Sequence, residues 1–146
     1  MKQKETSVLF ICIHNSARSQ MAETFLNDLG EGRFKAESAG LEPGELNPLV
    51  VKVMAEEGYD ISRNSTDSVF DYHSAGRNFD VVVAVCSKEA EERCPIFPGG
   101  GTRLHWPFED PSSFAGGEEE RLEATRRVRD HIKAKILEFI EEYSPA

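Results

Sequence analysis

The chain has 146 residues, 17 basic and 26 acidic, for a net charge of −9 with the histidines neutral. That length suits about one domain with a real core, and the acidity speaks against a protein that coats nucleic acid or an anionic membrane while leaving room for a local basic pocket. With 39% hydrophobic and 9% aromatic residues the composition is ordinary for a globular chain. No apolar run nears the roughly 20 residues of a membrane helix, and the stretch after Met1–Thr6 is too short for a secretory signal. The expectation is a cytosolic monomer without nucleic-acid or membrane partners. Three cysteines, an odd number in a reducing compartment, point to thiol chemistry or simple burial rather than to a disulfide framework.

Val8-Leu9-Phe10-Ile11 is a continuous apolar run, the pattern of a strand covered on both faces. After a polar loop, Met21, Ala22, Phe25, Leu26 and Leu29 recur at helical spacing, and Gly30 supplies a stop. Phe34 to Ser38 reads as a weaker strand, because Lys35 and Glu37 alternate with apolar residues. Asn47-Pro48 is a helix start, and the stripe Leu49, Val50, Val53, Met54 closes at Gly58. Val81 to Val85 predicts a central strand and Arg103 to Trp106 a short last one. From about Glu118, the residues Val128, Ile132, Ile136, Phe139, Ile140 and Tyr143 mark a long amphipathic helix. The run Glu118-Glu119-Glu120 suits the positive end of its dipole as a solvated face.

Alternating strands and helices imply a parallel, open α/β sheet in three layers, whose ligands bind beyond the carboxyl ends of the strands. Cys12 and Cys86 both fall at such ends, where a phospho-acceptor receiver domain would carry an aspartate. The first strand ends in Cys12-Ile13-His14-Asn15-Ser16-Ala17-Arg18-Ser19, and a helix follows. Cysteine, five residues, arginine is weak as a bare pattern. Between a buried strand and a helix, small polar residues let successive N–H groups turn inward as a nest for an anion. The helix start adds its positive end, and Arg18 can fork two donors onto a tetrahedral oxyanion. The same field favours a nucleophilic thiolate at Cys12, with Ser19 as a donor to the sulfur. The competing reading is a buried Cys12 with Arg18 in a surface ion pair.

On this loop the chain resembles the low-molecular-weight tyrosine phosphatase fold family and, within it, the arsenate reductases, from Val8 to the final helix. The resemblance implies a four-stranded parallel sheet of flavodoxin-like topology, Cys12 as nucleophile, and arsenate or phosphate held by the loop through Arg18. Related loops often carry glycine where this chain has His14; histidine tolerates unusual backbone angles, so the loop shape is expected to survive. Some relatives have a cysteine in place of Ala17.

Asp110-Pro111 follows the last strand. On the residues alone a turn aspartate and a general acid stand level; the resemblance assigns Asp110 as the acid that protonates the departing oxygen, in preference to Glu109. Hydrolysis needs one cysteine, whereas reducing arsenate takes two electrons, which a thiol pair supplies by becoming a disulfide. Ser87 to Arg93, between Cys86 and Cys94, is a good helix former. If helical, it sets the two Cα atoms about 12 Å apart, against about 7 Å for a disulfide, so pairing requires unwinding. The resemblance implies a relay. Cys12 attacks arsenate, Cys86 attacks the adduct and releases arsenite, and Cys94 takes Cys86 into an exposed disulfide reduced by thioredoxin. A buried core residue is the competing reading of Cys86. A zinc site of Cys86, Cys94 and His105 is discounted on spacing.

The resemblance implies no tightly bound cofactor except a potassium ion, with Asn15, Glu23, Ser38 and Asp67 matching its ligands. Asn15 bracing the loop and Asp67 capping a short helix are the alternatives. His73, His105 and His131 read as surface or structural. Two other functions compete. A protein tyrosine phosphatase would usually place aromatics after the Asp-Pro pair, where this chain has Ser112 and Ser113. A non-enzymatic phosphate-binding module is disfavoured by the joint presence of Cys12, Arg18 and Asp110, which also imply a residual phosphatase activity on small esters.

Overall fold

The computed structural model describes residues 5–85, 92–93 and 101–143. Strands β1 (Thr6–Cys12), β2 (Phe34–Gly40), β3 (Val81–Ala84) and β4 (Thr102–His105) form one parallel sheet in the order β2-β1-β3-β4. The helices are α1 (Arg18–Leu29), α2 (Pro48–Glu56), α3 (Val69–Ser74) and α4 (Glu118–Glu142). Val8 to Cys12 and the whole of β3 are buried, so successive side chains, which point to opposite faces, are covered on both. That is the three-layer arrangement anticipated from the apolar runs. The chain leaves β1 for β2 on one side and returns through β3 on the other. The sheet's switch point therefore lies at the carboxyl end of β1, where Cys12 stands opposite Gly40.

The α4 stripe of Val128, Ile132, Ile136, Phe139 and Ile140 is buried. Phe139 meets Trp106 edge-on at 5.4 Å between ring centres, and Trp106 meets Phe10 of β1 at 6.0 Å. Tyr143, at the end of the stripe, is 37% exposed yet stacks on Phe139 at 4.9 Å. Arg126 and Arg129 of α4 both bond Glu56 at the end of α2. Asn47 caps α2 as anticipated, its side chain accepting from the Leu49 N–H at 2.8 Å, and the chain turns out of the helix at Gly58 with φ of +87°.

Several boundaries move. Helix α1 starts at Arg18, so Ser19 lies in its first turn rather than in the loop. Strand β2 runs on to Gly40, past the Ser38 expected from its alternation, because its last residues pair with the buried end of β1. Strand β3 ends at Ala84, although the Val85 N–H still bonds Ile11 O. Trp106 follows β4 rather than ending it, its N–H bonded to Ala84 O. The short helix α3 is capped by Ser68, whose hydroxyl accepts from the Phe70 N–H, and not by Asp67. Among the described residues no helix is long and apolar enough to cross a membrane.

Candidate active site

The segment after β1 is laced on its outside by the segment that follows β2. Leu41 N donates to Cys12 O, Glu42 N to Ile13 O, Gly44 N to His14 O and Asn47 N to Ser16 O, at 2.8 to 3.2 Å. In a planar trans peptide the N–H points opposite to the C=O. Four carbonyls drawn outward therefore turn the next N–H groups, those of Ile13, His14, Asn15 and Ala17, toward the interior of the loop. Helix α1 begins at once, with Ala17 as an N-cap whose side chain caps nothing, so its first N–H groups join the same concavity. The close approach depends on Gly40: a Cβ there would lie 2.7 Å from Ile13 O and 2.8 Å from Asn15 N.

Asn15 is fully buried and carries the unusual backbone angle, φ of +54°, which sequence had associated with His14. Its four polar groups are all used. The backbone N–H donates to Cys12 Sγ at 3.1 Å, and the carbonyl accepts from Gln20 Nε2 at 3.0 Å. The side-chain Oδ1 accepts from Asp67 N at 2.9 Å, and Nδ2 donates to Ser19 Oγ at 2.8 Å. Ser19 Oγ, accepting from Asn15, lies 2.9 Å from Cys12 Sγ, and either of these two atoms can be the donor between them. The sulfur is 2% exposed at residue level; as a thiolate it would accept from both the Asn15 N–H and the Ser19 hydroxyl, the arrangement that stabilises negative charge on it. His14 bonds Glu42 O through Nδ1 at 2.9 Å; a carbonyl only accepts, so this nitrogen carries the proton.

Arg18, the first residue of α1, is buried. Its Nη1 donates to Phe108 O at 3.1 Å and its Nη2 lies 3.7 Å from Asp110 Oδ2. Its buried Nε has no partner among the described residues. Such a donor costs about 1–3 kcal/mol unless a ligand meets it. Asp110 uses its two carboxylate oxygens differently. Its Oδ1 accepts from Ser112 N at 2.9 Å, capping the 3₁₀ turn Pro111–Ser113, and its Oδ2 faces the arginine. A cleft of about 490 Å³, lined among others by Ser16, Asn47, Pro111, Ser112 and Arg121, opens beside the loop. Glu109 is exposed and points to another hollow, beside Arg127 and His131.

The four residues matched to a cation are brought together around the end of β2. Asn15 bonds Asp67, and Ser38 donates to Glu23 Oε1 at 2.9 Å. Burial first, with the nearby Glu37 and Asp67 carboxylates adding to it, pushes Glu23 up to about 7, against the lowering effect of the Ser38 hydroxyl. An oxygen-rich set with excess negative charge, costly to ionise on its own, is chemistry that a monovalent cation relieves, so these residues fit one. Cys86 and Cys94 lie outside the described residues, as does the Ser87 to Glu91 part of the predicted helix. Arg93, within reach of Glu42 at 3.2 Å, is described.

Sequence reasoning missed Gln20, which is 1% exposed and clamps the loop by bonding both Asn15 O and Ser65 O, with Asn64 behind it. It also missed the glycine requirement at position 40. A glutamine next to Met21 and Ala22 on a buried helix face was the available signal, since a buried amide must be bonded.

An anion nest at the carboxyl end of the first strand, a doubly hydrogen-bonded cysteine in it, and an arginine and an aspartate over its mouth define a class. The chain belongs to the low molecular weight phosphotyrosine protein phosphatase family, whose pattern matches residues 7–144. Within that family its relatives include arsenate reductases. That of Bacillus subtilis (strain 168) is 42% identical over 92% of this chain and 94% of its own length. A solved arsenate reductase in the phosphate binding state superposes with a TM-score of 0.76 at 31% identity, covering 95% of this chain and 99% of that one. The thioredoxin-dependent arsenate reductase of Corynebacterium glutamicum gives a TM-score of 0.69 at 26% identity, covering 99% of this chain and 66% of that longer one.

Proposed function

We propose that the protein reduces arsenate to arsenite with Cys12, Cys86 and Cys94 as a thiol relay. The observation that carries this reading is the cradle around Cys12, with Asn15 N–H and Ser19 Oγ on the sulfur, followed at the start of α1 by Arg18, whose buried Nε has no partner among the described residues. The inward N–H groups and Arg18 bind the oxyanion, neutralising its charge for attack. The Cys12 thiolate forms an S–As bond as an As–O bond breaks, and the departing oxygen takes a proton from Asp110 and leaves as water. The Cys86 thiolate then attacks the Cys12 sulfur. An S–S bond forms, the S–As pair stays on arsenic, and arsenic, lowered from the +5 to the +3 state, departs as arsenite. Cys94 displaces Cys12 from Cys86, and the resulting disulfide is reduced by thiol–disulfide exchange with thioredoxin. The Corynebacterium relative's name supports thioredoxin as donor, and the need for a reducing thiol pool suits a cytosolic setting.

Asn15, Glu23, Ser38 and Asp67 would hold a potassium ion behind the loop. Such an ion, when bound, supplies positive charge that offsets the acidic cluster. Hydrolysis of small phosphate esters should accompany reduction, since Cys12, Arg18 and Asp110 suffice for it, but Ser112 and Ser113 offer no aromatic grip on phosphotyrosine.

The test is NADPH oxidation coupled through thioredoxin and thioredoxin reductase, with arsenate added to the wild type, Cys86→Ser and Cys94→Ser. Turnover in the wild type alone, with p-nitrophenyl phosphate hydrolysis kept by both variants, is the expected result. Absence of turnover in the wild type, with brisk ester hydrolysis in all three, would make this a phosphatase.

A further inference from the structure

We propose that Asn47 is a positioning residue for Asp110, tying the aspartate's turn to the oxyanion loop; the proposal rests on the reading of Asp110 as the acid. Besides opening α2 with its carbonyl, Asn47 makes three further bonds in three directions. Its N–H donates to Ser16 O of the loop at 3.0 Å, its Oδ1 accepts from Leu49 N at 2.8 Å, and its Nδ2 donates to Ser112 Oγ at 3.0 Å. Ser112 in turn donates its N–H to Asp110 Oδ1 at 2.9 Å. A continuous path thus runs from the loop through Asn47 and Ser112 to the carboxyl group.

The first two bonds aim the third. The backbone of Asn47 is pinned by Ser16, and its carboxamide is planar, so capping α2 with Oδ1 fixes the two directions in which Nδ2 can donate, and one of them meets Ser112 Oγ. At the far end, Asp110 Oδ1 is occupied by its own turn and only Oδ2 faces Arg18, at 3.7 Å. The position of that oxygen follows from where the Pro111–Ser113 turn sits. Among the described residues, Arg18 and the Asn47 strap are what link this turn to the loop. A cap asparagine whose spare amide happens to find a surface hydroxyl is the plainer account. It predicts no effect specific to proton donation, and that separates the two.

The experiment measures kcat/KM on two esters, phenyl phosphate, whose leaving group needs a proton, and 2,4-dinitrophenyl phosphate, whose leaving group does not. Wild type, Asn47→Ser, Ser112→Ala, the double variant and Asp110→Asn are compared. Serine at position 47 keeps an N-cap of comparable quality but cannot reach Ser112, and thermal unfolding of each variant checks the fold. Each single substitution should lower the phenyl phosphate value by about five- to tenfold, the scale of one lost hydrogen bond, with less than about a twofold change for the dinitrophenyl ester. The double variant should be no worse than either single one. Arsenate, whose departing oxygen also needs a proton, should follow phenyl phosphate. Equal losses on both esters, or additive losses in the double variant, would overturn the role of Asn47. Discrimination between the esters in Asp110→Asn but in neither single variant overturns this proposal alone. No discrimination in Asp110→Asn overturns the acid itself, and the proposal with it.

Discussion

The two sides of the site are built differently. The Cys12 side is a loop whose carbonyls at Cys12, Ile13, His14 and Ser16 are all tied to the segment that follows β2. It is clamped from behind by Asn15 and Gln20, which are 0% and 1% exposed. The Asp110 side is a turn, exposed at Ser112 and Ser113, held by its own cap, one 3.7 Å ion pair and side-chain bonds to Phe108 O and Ser112. Anion binding and nucleophilic attack need fixed donors, because their value lies in being oriented before the ligand arrives. Proton donation needs a carboxyl that can change state and meet differing leaving groups. The rigid half should therefore fail in an all-or-none way and the looser half by degrees.

That contrast orders the predictions. Cys12→Ser should remove arsenate reduction and ester hydrolysis alike, by about 10⁴-fold or more; measurable turnover of either kind would put the nucleophile elsewhere. Asp110→Asn should cost about 10²-fold on phenyl phosphate while inorganic phosphate inhibits as before, a pairing that steady-state inhibition kinetics reads directly. Gly40→Ala forces a Cβ to within 2.7 Å of Ile13 O. It should lower stability by about 1–3 kcal/mol and weaken phosphate inhibition together, as urea unfolding and inhibition constants would show.

The smallest effect concerns Glu23. Its folded-state value near 7 lies above the ordinary 4.5, so the native state holds a proton that the unfolded chain has released. Its contribution to stability is complete below about 4.5 and is lost as pH rises through about 7. In potassium-free buffer the urea midpoint should fall across that window by the equivalent of about 1–3 kcal/mol. Glu23→Gln should flatten the fall, and potassium should restore the wild type but not the variant. A wild-type midpoint indifferent to potassium would remove the cation from the account.

The rigid half was also the legible half. A β-branched and aromatic run, small polar residues, and a helical stripe ending at Gly30 are local signals, and they place Cys12, Arg18 and Ser19 at the passage from β1 into α1, where the structure has them. What stayed hidden was set by distant chain. Gln20 bonds Ser65, 45 residues on, and Gly40 matters only because parallel pairing brings it opposite Cys12. Loop composition did not reveal that Asn15 rather than His14 takes the positive φ, a conformation held by three local bonds and one from Asp67, 52 residues on. Asp67 and Ser68 are equally good caps as residues. Ser68 takes the role because the Asp67 backbone is engaged with Gly40 N and Asn15 Oδ1. Asp110 was ambiguous in sequence for a physical reason: capping its turn and facing Arg18 use different oxygens of one carboxylate.

A single turnover tests the central claim most directly. The fully reduced protein, with three thiols and no external reductant, is mixed with excess arsenate. Arsenite and remaining thiols are then counted after denaturation. The account predicts one arsenite per chain and a fall from three thiols to one. Three thiols remaining, with no arsenite formed, would contradict it.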